Sequence, residues 1–89
     1  MFEYDPDKSA TNLAKHGIDF EQAQALWLDQ ARAEVRSDQG PEERCLVIGK
    51  LENQHWTAVC TMRDSTIRII SVRRSRQNEV NDYARRQEN

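Results

Sequence analysis

Long apolar runs are absent from this 89-residue chain, and none approaches the roughly 20 residues that a membrane-spanning helix needs. Its N-terminus, MFEYDPDKS, lacks the basic start and apolar core of a secretory signal, so the expected location is the cytoplasm and no membrane partner is expected. Cysteine is scarce. Cys45 and Cys60 stand too far apart for a CxxC pair, and in an unsecreted chain two such thiols read as small buried apolar residues; neither a disulfide nor a zinc site is implied. Only three glycines occur, none in a phosphate-cradling loop, and HExxH and GxSxG motifs are also missing. Nothing repeats, and no low-complexity tract or Gly/Ser linker divides the chain. An enzyme of this composition acting on phosphodiesters is expected to work without metal or other cofactor.

Residues 1–89 suffice for one domain, since so short a chain cannot furnish two independent cores. At 37% hydrophobic and 31% charged, the composition suits a small globular fold of marginal stability. The formal net charge of −2 argues at first against a polyanion binder. Yet residues 1–43 carry −6 and residues 44–89 carry +4, so the local distribution matters more than the total.

Met1–Tyr4 reads as a short extended lead-in. Asp5 followed by Pro6 is a helix start, a capping carboxylate before a proline whose missing N–H costs nothing at the first helical position. That helix is expected to end at His16, with Gly17 as its left-handed cap. Asp19 reads as a second cap, and Phe20, Ala23, Leu26 and Trp27 mark an amphipathic helix ending near Leu28. Alternation over Ala31–Arg36 predicts a half-buried strand, and Gly40-Pro41 lies in the clearest turn, Asp38–Glu43. Strands are then predicted over Arg44–Leu51, Trp56–Arg63 and Ile67–Arg74, joined by the hairpin loops Glu52–His55 and Asp64–Thr66. Val80, Tyr83 and Ala84 form the apolar stripe of a last helix whose end, residues 85–89, is polar enough to fray. The order β-α-α-β-β-β-β-α predicts an α+β domain with helices packed on a four-stranded antiparallel sheet.

Chemistry concentrates in Arg63–Arg76, where Arg63, Arg68, Arg73, Arg74 and Arg76 face one acid, Asp64. Arginine's planar, permanently charged fork suits phosphate oxygens. Strand alternation places Arg68, Ile70, Val72 and Arg74 on one face and Ile67, Ile69, Ser71 and Arg73 on the other, so neither face is expected to be wholly basic. A plainer reading has these arginines solvating an edge and balancing the acidic half. Lys15 and His16 suit the negative end of their helix, and equally could move a proton. His55 reads as a surface residue. Glu79 and Tyr83, four apart on one helical face, read either as an acid–phenol pair at a phosphate or as a solvated acid beside a core aromatic.

Taken in order, FEYDPDKSATNLAKHGIDFEQA, PEERCLVIG and IRIISVRRSRQNEVNDY resemble the BrnT family, the toxin halves of bacterial type II toxin–antitoxin modules. The shared pattern includes Asp5-Pro6, Asn12, Lys15-His16-Gly17, Glu43-Arg44, Gly49, Arg68-Ile69-Ile70-Ser71, Arg73, Glu79 and Tyr83. Cys45 departs from it, standing where an aromatic is common, and so does Ser75, which replaces an alanine. The resemblance implies a RelE-like fold and RNA cleavage that arrests translation, with the ribose 2′-OH attacking its own phosphodiester. It also implies a BrnA antitoxin partner, contact with operator DNA only through that antitoxin, and a two-plus-two assembly. Read onto this chain, Arg68 and Arg73 take the phosphate role, aided by Arg63, Arg74 and Arg76. Lys15 and His16 take proton transfer or positioning, and Glu79 with Tyr83 support them. The rival reading is a non-catalytic module whose basic surface binds nucleic acid or a partner protein, acting as co-repressor.

Overall fold

A carboxylate, a proline and a glycine delimit the first helix. In the computed structural model, which describes residues 1–37 and 43–87, Asp5 accepts hydrogen bonds from Asp7 N at 2.9 Å and Lys8 N at 3.4 Å. Pro6 then begins α1 (Pro6–His16). Gly17 closes it at φ 81°, its N–H donating to Leu13 O at 2.9 Å. Asp19 caps α2 (Phe20–Ala23) with a reciprocal bond to Gln22. The second helix differs from expectation: after one α turn the chain tightens into a 3-10 turn over Gln24–Leu28. This turn lies against the sheet so closely that a Cβ on Gly49 would stand 3.1 Å from Leu26 Cδ2 and 3.3 Å from Leu26 O.

Five strands follow the order β1-β5-β4-β3-β2, comprising β1 (Phe2–Glu3), β2 (Ala33–Ser37), β3 (Arg44–Leu51), β4 (Gln54–Arg63) and β5 (Thr66–Arg74). The sheet is therefore mixed and five-stranded, not the four-stranded antiparallel sheet that the alternation predicts. The lead-in pairs parallel to β5, with Phe2 opposite Ile67, and Ile67 N donates to Met1 O at 2.9 Å. Phe2 is held there by an edge contact with Trp27, ring centroids 4.9 Å apart. Glu52 and Asn53, at φ 51° and 67°, make a two-residue hairpin turn, so β4 starts at Gln54 and includes His55. The expected turn around Gly40-Pro41 falls largely on residues 38–42, outside the described residues.

The main core lies on one face of the sheet. There Phe20, Ala23, Leu26, Val47, Ala58, Cys60, Ile69 and Val72 are almost wholly enclosed. Cys45 and Cys60 sit directly opposite each other on β3 and β4, and burial, with the neighbouring Cys45, pushes the Cys60 thiol up to about 12. The other face carries α3 (Gln77–Gln87), which packs Tyr83 on Ala33 and Ile48. Gln87 Nε2 donates to Ala31 O at 2.9 Å, so the helix is tied down as far as that residue.

Asn12 joins helix to sheet. Its carboxamide, 6% exposed, donates to Val72 O at 2.9 Å and to Ile18 O at 2.8 Å while accepting from Val72 N at 3.2 Å. Because β1 pairs with β5 only at Ile67 and Arg68, Val72 faces α1 where a strand neighbour would otherwise be, and the side chain satisfies both backbone groups.

Candidate functional site

A β-bulge sets the geometry. Along β4, Thr57, Val59 and Thr61 lie on one face, and their β5 partners are Arg73, Ser71 and Arg68. Trp56, Ala58 and Cys60 lie on the other, opposite Arg74, Val72 and Ile69. Ile70 has no partner, because the register slips at Val59/Cys60. The extra residue inverts the alternation, so Arg68, Ser71 and Arg73 share the α3 face, on the order of 13 Å from end to end. Simple alternation predicts Arg68 and Arg73 on opposite faces; the bulge corrects this.

Arg73 and Glu79 form a two-point ion pair, Nη1 to Oε1 at 2.7 Å and Nη2 to Oε2 at 2.8 Å. Glu79 is 3% exposed and also accepts from Thr57 Oγ1 at 3.0 Å and from Arg76 N at 2.7 Å, the latter capping α3. Burial opposes ionisation, but these donors outweigh it and hold the Glu79 carboxyl at about 2. Its carboxylate is thus fixed in the charged state, and it fixes Arg73 in turn. Nη1 also donates to Arg74 O at 3.4 Å, which leaves Nε–H and the outer Nη2 hydrogen to meet anything else. Arg68 is more available, its one ion pair among the described residues being a loose 3.9 Å contact with Glu3.

Lys15 and His16 lie on α1 beside the free stretch of the β5 edge. Together with Lys8, Thr11, Ile70 and Ser71 they line a cleft of about 310 Å³. Ser71 belongs both to that cleft and to the row between Arg68 and Arg73, so the two halves of the site adjoin at this residue. Sequence reasoning passes over Ser71, because its face depends on a bulge that neither glycine nor proline announces.

The remaining arginines are dispersed. Arg74 lies on the opposite face with its guanidinium 5.4 Å from the Trp56 ring centre. Arg63 is exposed at the β4–β5 hairpin, and Arg76 is exposed at the start of α3. Tyr83 donates its hydroxyl to Asp29 Oδ2 at 2.8 Å, and burial together with that bond pushes the phenol up to about 12. Asp29 also accepts from Lys50 N and Ala31 N, which outweigh burial and lower its carboxyl. His55 is half-buried edge-on to Tyr83 at 5.0 Å, and not the bare surface residue expected. Burial and the Lys50 and Arg74 charges lower its pKa, disfavouring the imidazolium.

Among the described residues, no group of three or more His, Cys, Asp or Glu side chains could hold a metal ion, and no helix is long and apolar enough to cross a membrane. No curated protein matches the chain. A family model does, that of the ribonuclease toxin BrnT of type II toxin–antitoxin systems, and the match runs over residues 4–79. That span takes in α1, the whole sheet beyond the lead-in strand, and Glu79, so the chain belongs to the BrnT family and is a ribonuclease toxin with an antitoxin partner.

Proposed function

We propose that the toxin is a metal-independent endoribonuclease in which the ribose 2′-OH attacks the adjacent phosphodiester, leaving a cyclic phosphate and a 5′-OH. The observation that carries this reading is the alignment of Arg68, Ser71 and Arg73 on one sheet face, with the Lys15–His16 cleft opening onto Ser71. Such a reaction needs cations where the phosphorane charge develops and groups that move protons at the attacking and leaving oxygens. Arg68 is the main phosphate ligand. Arg73 adds its remaining N–H groups, oriented by Glu79. Lys15 and His16 serve proton transfer, and Tyr83 supports the site by anchoring α3 through Asp29. Exposed Arg63 and Arg76 contact flanking phosphates; Arg74, turned to the opposite face, reaches only an RNA strand that wraps the sheet edge.

The fold class proposed is RelE-like, acting in the cytoplasm on RNA and neutralised by a BrnA-type antitoxin through which alone the operator is contacted. A two-plus-two assembly is part of this proposal. Incubating RNA with the purified toxin in EDTA, with and without ribosomes, tests the chemistry. Fragments ending in a cyclic phosphate are expected. Intact RNA under every condition would replace the enzyme with a non-catalytic binding module.

A further inference from the structure

The face opposite Arg68 and Arg73 carries a second concavity, a groove of about 440 Å³ beyond the 3-10 turn. Trp27 forms one wall and Met62 another, and the floor is Cys45, Val47, Cys60 and Ile67. These floor residues belong to or pack on the main core, which is therefore left open at this end. Met62 is 57% exposed although it is a large apolar side chain. The volume lies within the range of about 300–1,000 Å³ typical of binding pockets.

The segment joining β2 to β3, Asp38-Gln39-Gly40-Pro41-Glu42, has no large apolar side chain in its sequence with which to fill the groove. The rim is charged. Arg32 pairs with Glu34 at 3.2 Å and Arg36 with Glu43 at 4.0 Å, while Arg44 has no ion pair among the described residues, so the described rim carries three arginines against two glutamates. An apolar floor inside a net positive rim does not suit RNA, whose binding is dominated by phosphate contacts. It suits a protein segment that buries apolar anchors and places carboxylates around them.

We propose that this groove receives apolar side chains of the antitoxin, flanked by acidic residues, so that the antitoxin is anchored on the face opposite the arginine row. The partner is the one that membership of the family supplies, and the docking surface is independent of which residues cleave RNA.

The test titrates the antitoxin encoded with this toxin into purified toxin variants by calorimetry. Met62→Asp places a carboxylate in the groove at an already exposed position, and Cys45→Phe fills the groove from its floor. Each is expected to weaken binding by about 30-fold or more, the loss typical of an anchor position. Leu13→Asp removes an apolar side chain that is 44% exposed on α1, outside the groove, and is expected to leave affinity unchanged. Thermal melting of each variant confirms that it is folded, and the titration needs no RNA, so failure of the catalytic reading would leave its result intact. Affinities within threefold of the parent for both groove variants would overturn the proposal. So would a toxin homodimer that Met62→Asp dissociates while antitoxin affinity is kept, which would give the groove to a second copy.

Discussion

Arg73 and Glu79 hold each other at two points, 2.7 and 2.8 Å, with Glu79 almost wholly enclosed and Arg73 reaching the sheet surface through a partly covered guanidinium. The pair joins β5 to the first turn of α3, so the charge proposed to meet phosphate and the packing of the last helix depend on the same contact. Mutations along the arginine row should therefore have unequal effects.

Arg68→Ala removes a cation whose ion pair with Glu3 is loose, and it leaves behind a carboxylate that is itself partly exposed. We expect a folded protein with its melting temperature nearly unchanged and a cleavage rate lower by about 10²–10³. Single-turnover RNA cleavage beside a melting curve checks this. Full activity in folded Arg68→Ala would remove Arg68 from the phosphate role. Arg73→Ala, by contrast, strands the Glu79 carboxylate and is expected to lower activity and stability together.

Glu79→Gln keeps the shape of the side chain and abolishes its charge. Breaking one partner of an enclosed ion pair costs about 3 kcal/mol. Denaturant unfolding should show that loss, and cleavage should fall as well because Arg73 loses its orientation. Unchanged stability would mean that the pair is no more than a surface contact.

Acid should unfold the toxin through the same group. The Glu79 carboxyl sits at about 2 in the fold against an ordinary 4.5. Since the folded value is the lower one, the stabilisation is complete above about pH 5 and is lost as pH falls toward 2, by about 3 kcal/mol in all. At the alkaline end the Tyr83 phenol is raised to about 12 from 10.0, so its contribution is complete below pH 10 and lost as pH rises toward 12. Urea midpoints across pH measure both limbs. Glu79→Gln should flatten the acid limb and Tyr83→Phe the alkaline one, and a limb that persists in its variant belongs to another group.

Asn12→Ala is expected to destabilise the fold by about 3 kcal/mol, because the Val72 N–H and carbonyl and the Ile18 carbonyl lose their partner in a buried place. Amide exchange should then show Val72 N–H unprotected while the centre of β4 stays protected. Continued protection of Val72 would show that another group replaces the carboxamide.

Local signals in the sequence were enough to place the helices and most strand centres. Asp5-Pro6, Gly17 and Asp19 act within a few residues of themselves, and their capping bonds form as that spacing dictates. The parallel lead-in strand was hidden because Phe2–Glu3 is too short to show alternation and is held by Ile67 and Trp27, distant in sequence. The bulge was hidden for a different reason. Ile70 is an ordinary strand residue, and only the pairing with β4 reveals that it is passed over. Lys15, His16, Arg68 and Arg73 become candidates by residue type alone, whereas the placement of Ser71 beside them and the Thr57 support of Glu79 required the register. The Tyr83–Asp29 bond joins residues 54 apart and has no local trace.

Asn12 also determines how this sheet can grow. With its carboxamide occupying both backbone groups of Val72, the ladder that β5 could offer a visiting strand beyond β1 is interrupted at that residue. The opposite margin, β2, has no strand on its outer side among the described residues. One buried side chain thereby gives the sheet a polarity: further strands can be added at the β2 margin, while the margin beside the Lys15–His16 cleft is blocked to β-pairing at Val72.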